Sequence, residues 1–268
     1  MLLAHISDLH VMIEGNLAYG IVDTGPMVEK AIAHIKSLSP DAVVISGDLV
    51  HEVKIDEYER LKEMLSVLEM PVFLMTGNHD SRDFIRQVFA NYDYLPAQGF
   101  LHYTVEDYPV RLIMLDTNVL GEGRGALDSA RLQWLDSQLA AQPDRPTLIF
   151  MHHPPFSTGI KMMDGLGRTG ADELAEIVRK YDCVERVGCG HLHRPIQKRW
   201  AGTLAYTVPS PVHQVSLDLV SDSDYSSFVM EPPAYQLHLW REGEGRESAG
   251  LVSHVQYINS YDGPYTFR

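Results

Sequence analysis

Cysteine is scarce in this 268-residue chain. Cys183 and Cys189 are too few for a disulfide framework and lack zinc-type spacing, so they are expected to be reduced thiols in or near the core, with none left to tie the C-terminal part down. Long hydrophobic runs are missing as well. No stretch reaches the roughly 18 apolar residues that mark a membrane span, which excludes a membrane partner of that kind. The opening Met1-Leu-Leu-Ala-His-Ile-Ser-Asp8 lacks the basic flank and long apolar segment of a secretory signal, and reads as a first strand of a cytoplasmic protein. Positive charge is also short. Twenty-two Lys and Arg face 36 Asp and Glu, a formal net charge of −14, and without a dense basic track this disfavours a nucleic-acid polymer as partner. Repeats and low-complexity tracts are absent, and 45% apolar with 22% charged residues excludes fibrous and disordered chains.

What is present is histidine, 13 in all, and an alternation of short apolar runs with amphipathic stretches. Residues 2–6, 42–45, 72–75, 111–115, 147–151 and 184–187 are brief, rich in Val, Ile, Leu and Met, and end at Gly, Asp or Asn, as buried strands do. Residues 27–38, 57–68, 81–89, 129–139 and 171–180 carry apolar residues at helical spacing. Such a β-α-β series predicts an α/β fold, a sheet with helices on its faces, whose strand ends gather ligand-binding loops along one edge. Near residue 200 the texture changes to strand-like pieces at 197–200, 204–208, 213–217, 235–240 and 252–258, broken by prolines, with a polar, turn-prone segment at 221–228. The expected organisation is a catalytic-type body, residues 1–200, and a small β-rich C-terminal cap, residues 201–268. Aromatic residues of the cap, Tyr225, Phe228, Tyr235 and Trp240, are a candidate subunit contact.

The informative feature is where the unusual polar residues fall. Asp8-Leu-His10 follows the first strand, and two residues separated by one lie on the same side of an extended chain. Gly47-Asp48 ends the second strand and Gly77-Asn78-His79-Asp80 the third; His152-His153-Pro154-Pro155 and Gly190-His191-Leu192-His193 end two later ones. Each has a plain structural alternative. Asp8 could cap a loop, Gly-Asp is a turn signal, Asp80 or Ser81 could be a helix N-cap, and His-His-Pro-Pro could be a strand stopped by proline. Independent accidents would not put every cluster at the same end of successive strands. Five strand ends delivering Asp, His, Asp, Asn, His, His and His to one edge describe a dinuclear metal site.

Taken in this order, Asp-x-His, Gly-Asp, Gly-Asn-His-Asp, His-x-Pro and Gly-His-x-His resemble the calcineurin-like metallophosphoesterases over residues 1–195. The opening eight residues, Tyr19-Gly20, Phe150–Pro155, Val212–Val215 and Tyr261-x-Gly-Pro264 resemble the bacterial class III cyclic nucleotide phosphodiesterases within that family, and most of all the glycerophosphodiesterases. The resemblance implies a β-sandwich flanked by helices in α-β-β-α layers. It also implies one metal held by Asp8, His10 and His193, another by Asn78, His152 and His191, with Asp48 bridging, and a dimer or an assembly of dimers. His152 rather than His153 is the implied ligand, being two before the proline. Leu9 and Leu192 stand where relatives carry polar residues.

Carboxylate, amide and imidazole donors without thiolate suit two divalent ions, Mn, Fe, Co or Zn. Such ions, about 3.5–4 Å apart, bind a phosphodiester oxygen and generate hydroxide near neutral pH. His79, beside Asn78 but not itself a ligand, is the expected catalytic residue, donating to the leaving alkoxide. His213, Tyr19 and Asn16 are candidate substrate contacts, and Arg124 in its Gly-rich loop is a weaker one. His153 is expected to hydrogen-bond behind the ligands, and His5, His34, His51, His102, His238 and His254 are read as structural. The expected reaction is hydrolysis of small phosphodiesters, glycerophosphodiesters or cyclic nucleotides. The alternatives are a phosphomonoesterase or nuclease on the same scaffold, or a non-catalytic interaction scaffold.

Overall fold

The computed structural model describes residues 1–220, 226–243 and 249–267. In chain order the elements run β1 (Leu2–Ile6), α1 (Thr24–Leu38), β2 (Ala42–Ile45), α2 (Ile55–Leu65), β3 (Val72–Leu74), α3 (Arg82–Val88), β4 (Tyr103–Val105) and β5 (Arg111–Leu115). There follow β6 (Gly125–Ala126), α4 (Ser129–Ala141), β7 (Thr147–Met151), α5 (Lys161–Gly165), β8 (Arg168–Thr169), α6 (Ala171–Val178) and β9 (Val184–Cys189). The chain closes with β10 (Ile196–Trp200), β11 (Thr203–Thr207), β12 (Gln214–Val215), β13 (Phe228–Val229), β14 (Ala234–Arg241) and β15 (Gly250–Tyr257). Helix α1 starts earlier than its apolar periodicity suggests because Pro26, in the first turn, needs no hydrogen-bonded N–H there.

Two sheets form. The first has the order β15-β14-β1-β2-β3 and the second β10-β11-β9-β7-β5-β4. Pairing is parallel through β1, β2 and β3 and through β5, β7, β9 and β11, with antiparallel strands at the flanks. Side chains alternate between layers along each strand. In β1, Leu3 enters the cluster between the sheets while Ala4 faces the helices; in β7, Phe150 lies between the sheets and Ile149 faces outward. Helices α1, α2 and α3 cover the first sheet, α4 and α6 the second. These are the expected α-β-β-α layers. The single sheet suggested by the β-α-β series alone is thus two, each with helices on one face.

The sheets run through residue 200. The boundary drawn there falls inside the β10–β11 hairpin, and β14 pairs with β1 in the first sheet, so of the described strands after β11 it is β12 and β13 that form a separate ribbon, as β6 and β8 do earlier. The change near residue 200 is one of composition, while the packing continues across it. The proposed subunit contact does not hold as drawn. Tyr235 is fully buried against His34, Phe228 turns toward a cavity, and Trp240 packs beside the inter-sheet core; Tyr225 and the start of the 221–228 segment lie outside the described residues. Cys183 and Cys189 are buried and free. No helix among the described residues is long and apolar enough to cross a membrane.

Candidate metal centre

The loops leaving β1, β2 and β3 meet those leaving β7 and β9 where the edges of the two sheets adjoin. Backbone bonds lock the first two loops together: the Asp8 N–H donates to Gly47 O at 3.0 Å and the His10 N–H to Asp48 O at 3.1 Å. Gly47 adopts φ of +104°, and a Cβ there would fall 2.6 Å from the Gly77 nitrogen and 2.7 Å from His152 Nδ1. Only glycine permits that approach.

Asp8 and His10 converge for a different reason than strand alternation. Both have left β1 and are left-handed, with φ of 58° and 45°. Asp48, His191 and His193 share that conformation, so five of the nine non-glycine residues at positive φ among the described residues are expected ligands. At a cost of about 1–3 kcal/mol each, such backbone persists only where the surroundings enforce it, and it concentrates at functional sites.

All seven expected ligands come together, and all but Asn78 are buried. Asp48 faces two ways: Oδ1 lies 3.4 Å from His152 Nε2, and Oδ2 lies 3.6 Å from His10 Nε2. Around the first oxygen, Asn78 Oδ1 is 3.1 Å from His152 Nε2. Around the second, His193 Nε2 is 3.3 Å from both His10 Nε2 and Asp8 Oδ1. The Asp8 carboxylate accepts the His191 N–H at 3.0 Å. Hydrogen bonds set the ring orientations: Nδ1 of His152 meets Ser46 O at 2.9 Å, and Nδ1 of His193 meets His213 O at 2.8 Å. A main-chain carbonyl only accepts, so each Nδ1 carries a proton, and in the neutral ring that a bound cation requires each Nε2 is the lone-pair donor facing the cluster. Carboxylate, amide and imidazole donors so oriented fit the divalent metals of this fold class.

The electrostatics favour positive charge. Burial resists ionisation of Asp48 and Asp8, but His152 beside the first and His193 beside the second hold both below the usual carboxylate range. Burial likewise opposes charge on His152, yet Asp48 and Asp8 outweigh it and lift its pKa to about 9. His193 is raised, its burial outweighed by Asp8. Burial, reinforced by His152, drives His191 down to about 3. Asp80 supports the floor from behind, accepting the Gly77 N–H at 2.8 Å, the Leu49 N–H at 3.1 Å and the Tyr58 hydroxyl at 3.1 Å.

A cavity of about 400 Å³ opens over the cluster. His79 lines it, with its backbone N–H on Asp48 Oδ1 at 2.8 Å and its Nδ1 on His51 O at 2.7 Å. His213 lines it too, its ring 4.5 Å from that of His193, and so does Tyr19, whose ring is 5.3 Å from that of His213. Asn16 does not: it sits in an exposed turn, its N–H on Ile13 O, away from the lining. Arg124 turns to Glu122 and Thr169 instead. His153 bonds Thr117 Oγ1 at 2.9 Å behind the ligands. Leu9 and Leu192 are buried apolar residues. One residue was missed. His51, read as structural, stacks 5.5 Å from His79 and places Nδ1 3.3 Å from Nδ1 of His10; the available signal was its position in the loop that carries Asp48.

A two-sheet sandwich whose adjoining edges share Asp, Asn and His donors defines a metal-dependent phosphoesterase. The chain belongs to the calcineurin-like phosphoesterase family, whose model matches residues 1–195. It is 38% identical to the probable glycerophosphodiester phosphodiesterase GpdQ of Arcobacter nitrofigilis, covering 100% of this chain and 97% of that protein. It is 33% identical to a probable cyclic nucleotide phosphodiesterase of Rhodopseudomonas palustris, covering 97% of this chain and 93% of that one. Among solved structures, a dimetal phosphatase from Danio rerio superposes with a TM-score of 0.63 at 14% identity, over 94% of this chain and 98% of that chain. That last likeness is one of fold.

Proposed function

We propose that this chain is a metal-dependent phosphodiesterase that hydrolyses small diesters, glycerophosphodiesters or cyclic nucleotides. The supporting observation is Asp48, whose two carboxylate oxygens address imidazoles from different sheets, at 3.4 Å to His152 and 3.6 Å to His10. Asp8, His10 and His193 would hold one divalent ion, Asn78, His152 and His191 a second, with Asp48 between them. When bound, Mn, Fe, Co or Zn supplies Lewis acidity toward the phosphoryl oxygens and acidifies water near neutral pH.

The remaining groups act on the substrate. His79, its Nδ1–H spent on the His51 carbonyl, turns Nε2 toward the cavity, where protonated it donates to the departing alkoxide. His213, whose ring lines the cavity 4.5 Å from that of His193, is the candidate contact for a phosphoryl oxygen. Tyr19, its pKa pushed to about 12 by burial and by Asp48, keeps its proton and donates a hydrogen bond at neutral pH. No Lys or Arg appears among the described residues lining the cavity. This favours a singly charged diester over the dianion of a monoester. The cavity size and the net charge of −14 weigh against polymeric nucleic acid.

The test is hydrolysis of bis-p-nitrophenyl phosphate against p-nitrophenyl phosphate by protein stripped with chelator and reloaded with Mn or Co. Faster turnover of the diester is expected; turnover without metal, or a strong preference for the monoester, overturns the reading. We further propose a cytoplasmic homo-oligomer, a dimer or an assembly of dimers, joined through β15, which ends the first sheet and exposes Val252 and Tyr257. Light scattering on the purified chain checks the assembly, and a monomer would refute it.

A further inference from the structure

The lining of the cavity over the metal cluster includes two apolar groups, Met162, Met163 and Leu166 with Gly123 beside them, and Tyr19, Val215 and Phe228 with Ser226 and Ser227 next in the chain.

Packing of the fold does not account for the methionine side. Helix α5 has no buried residue, and Met162, Met163 and Leu166 belong to none of the three hydrophobic clusters that make up the core. A helix whose apolar residues serve no core is ordinarily a poor use of them. The loop is nonetheless held firmly. Asp164 accepts the N–H groups of Thr158 and Gly159, both at 2.9 Å, and meets Arg168 at 3.5 Å. Opposite, Val215 and Phe228 face each other as a cross-strand pair of the β12–β13 ribbon. The Phe228 ring lies 5.1 Å from that of Tyr19 and 5.0 Å from that of His213. Aromatic rings on one side, adaptable thioethers on the other and the ligand cluster at the floor form a slot continuous with the reaction centre.

We infer that this slot is a subsite for a flat, apolar arm of the diester, selecting aryl- or nucleobase-bearing esters over polyol esters at equal phosphodiester chemistry. The inference rests on the diesterase reading above and narrows its substrate class. A diester has two arms. In the one that enters the slot, a glycerol hydroxyl between the thioethers and the rings would give up water without gaining a partner. Thioether and aromatic surfaces suit planar rings.

The test uses Mn-loaded full-length protein and two diesters whose alcohols have similar acidity, methyl 2-phenylethyl phosphate and methyl 2,3-dihydroxypropyl phosphate. The wild type is expected to favour the phenylethyl ester about ten- to hundredfold in kcat/KM, the scale a shaped apolar pocket provides. In Met162→Ser/Met163→Ser, whose sites lie outside the core, that preference falls about tenfold, chiefly through KM. Phe228→Ala should move it the same way. Equal use of both diesters, preference for the dihydroxypropyl arm, or variants that slow both esters alike would overturn the subsite while leaving the diesterase reading standing. Hydrolysis of neither diester by the loaded wild type would overturn both.

Discussion

Arg82 and Asp116 tie the loop that carries Asn78 to the second sheet, and the worth of that tie can be worked out. Asp116 follows β5 with its carboxylate fully buried. Arg82, in the first turn of α3, meets it as a fork, Nε to Oδ2 at 2.6 Å and Nη2 to Oδ1 at 2.8 Å, and also donates to Asn118 O at 2.7 Å. The amide of Asn118 in turn donates to Asp80 O at 3.0 Å. Arg82→Ala strands a buried carboxylate, a change that typically costs 3–5 kcal/mol, and about 3 kcal/mol is the figure expected here. The lower end applies because Arg82 is 18% exposed and the N–H groups of Leu101 and Asn118 still reach the carboxylate at 2.8 and 3.0 Å. The pH dependence gives a second check. Burial opposes ionisation of Asp116, but the Arg82 bonds outweigh it and hold the pKa below the usual carboxylate range. In the wild type the contribution is therefore complete at neutral pH and is lost only as pH falls through that lowered value. In Arg82→Ala, burial acts unopposed by the guanidinium and raises the Asp116 pKa, so the deficit against wild type shrinks as pH falls from about 7.5 toward about 5. Urea unfolding followed by tryptophan fluorescence at both pH values measures it. A loss under about 1 kcal/mol, or a deficit that grows in acid, would refute the reasoning.

Two further predictions concern the site itself. Asn78→Ala should empty mainly one metal position, read as a fall in bound Mn per chain. His79→Ala should keep both and lower kcat about 10²–10⁴-fold for alkoxide leaving groups, with a smaller effect on p-nitrophenolate; equal metal loss in the two variants would show the roles to be misassigned. Gly190→Ala would bring a Cβ against Ser7 Oγ, 2.8 Å from Asp8 Oδ2 and 3.1 Å from His152 Nδ1. It should destabilise the fold by about 1–3 kcal/mol and weaken metal retention on dialysis, whereas unchanged metal content would show that the crowding relaxes elsewhere.

Much of this was legible in the chain because rare polar residues interrupt apolar runs at fixed places. Asp8, Asp48, Asn78, His152 and His191 each follow a strand whose extent periodicity locates to within a residue or two. The division into two sheets was not legible from the runs themselves, since β-α-β units read alike in either sheet. In the structure β3 ends one sheet and β4 the other, and β14 joins the first by lying antiparallel to β1, a pairing across more than 230 positions of sequence. His51 escaped notice because its one signal, a place three residues after Asp48 in the same loop, is not a motif. The parallel bridge between Val11 and Val50 is what sets it beside His10. Helix α5 was missed for lack of periodicity, having no buried face to produce one. Asn16 misled because closeness in sequence to a ligand says little when a turn intervenes.

The seven donors are divided between the sheets, with Asp8, His10, Asp48 and Asn78 from one and His152, His191 and His193 from the other. Neither sheet alone carries a complete set, so the donors become neighbours only when the layers have docked. Any ion they capture is then a clasp across the sandwich, and its affinity adds to the cohesion of the layers by mass action. On the ligand set proposed above, withdrawing divalent ions would then shorten the life of the folded chain as well as stop its work.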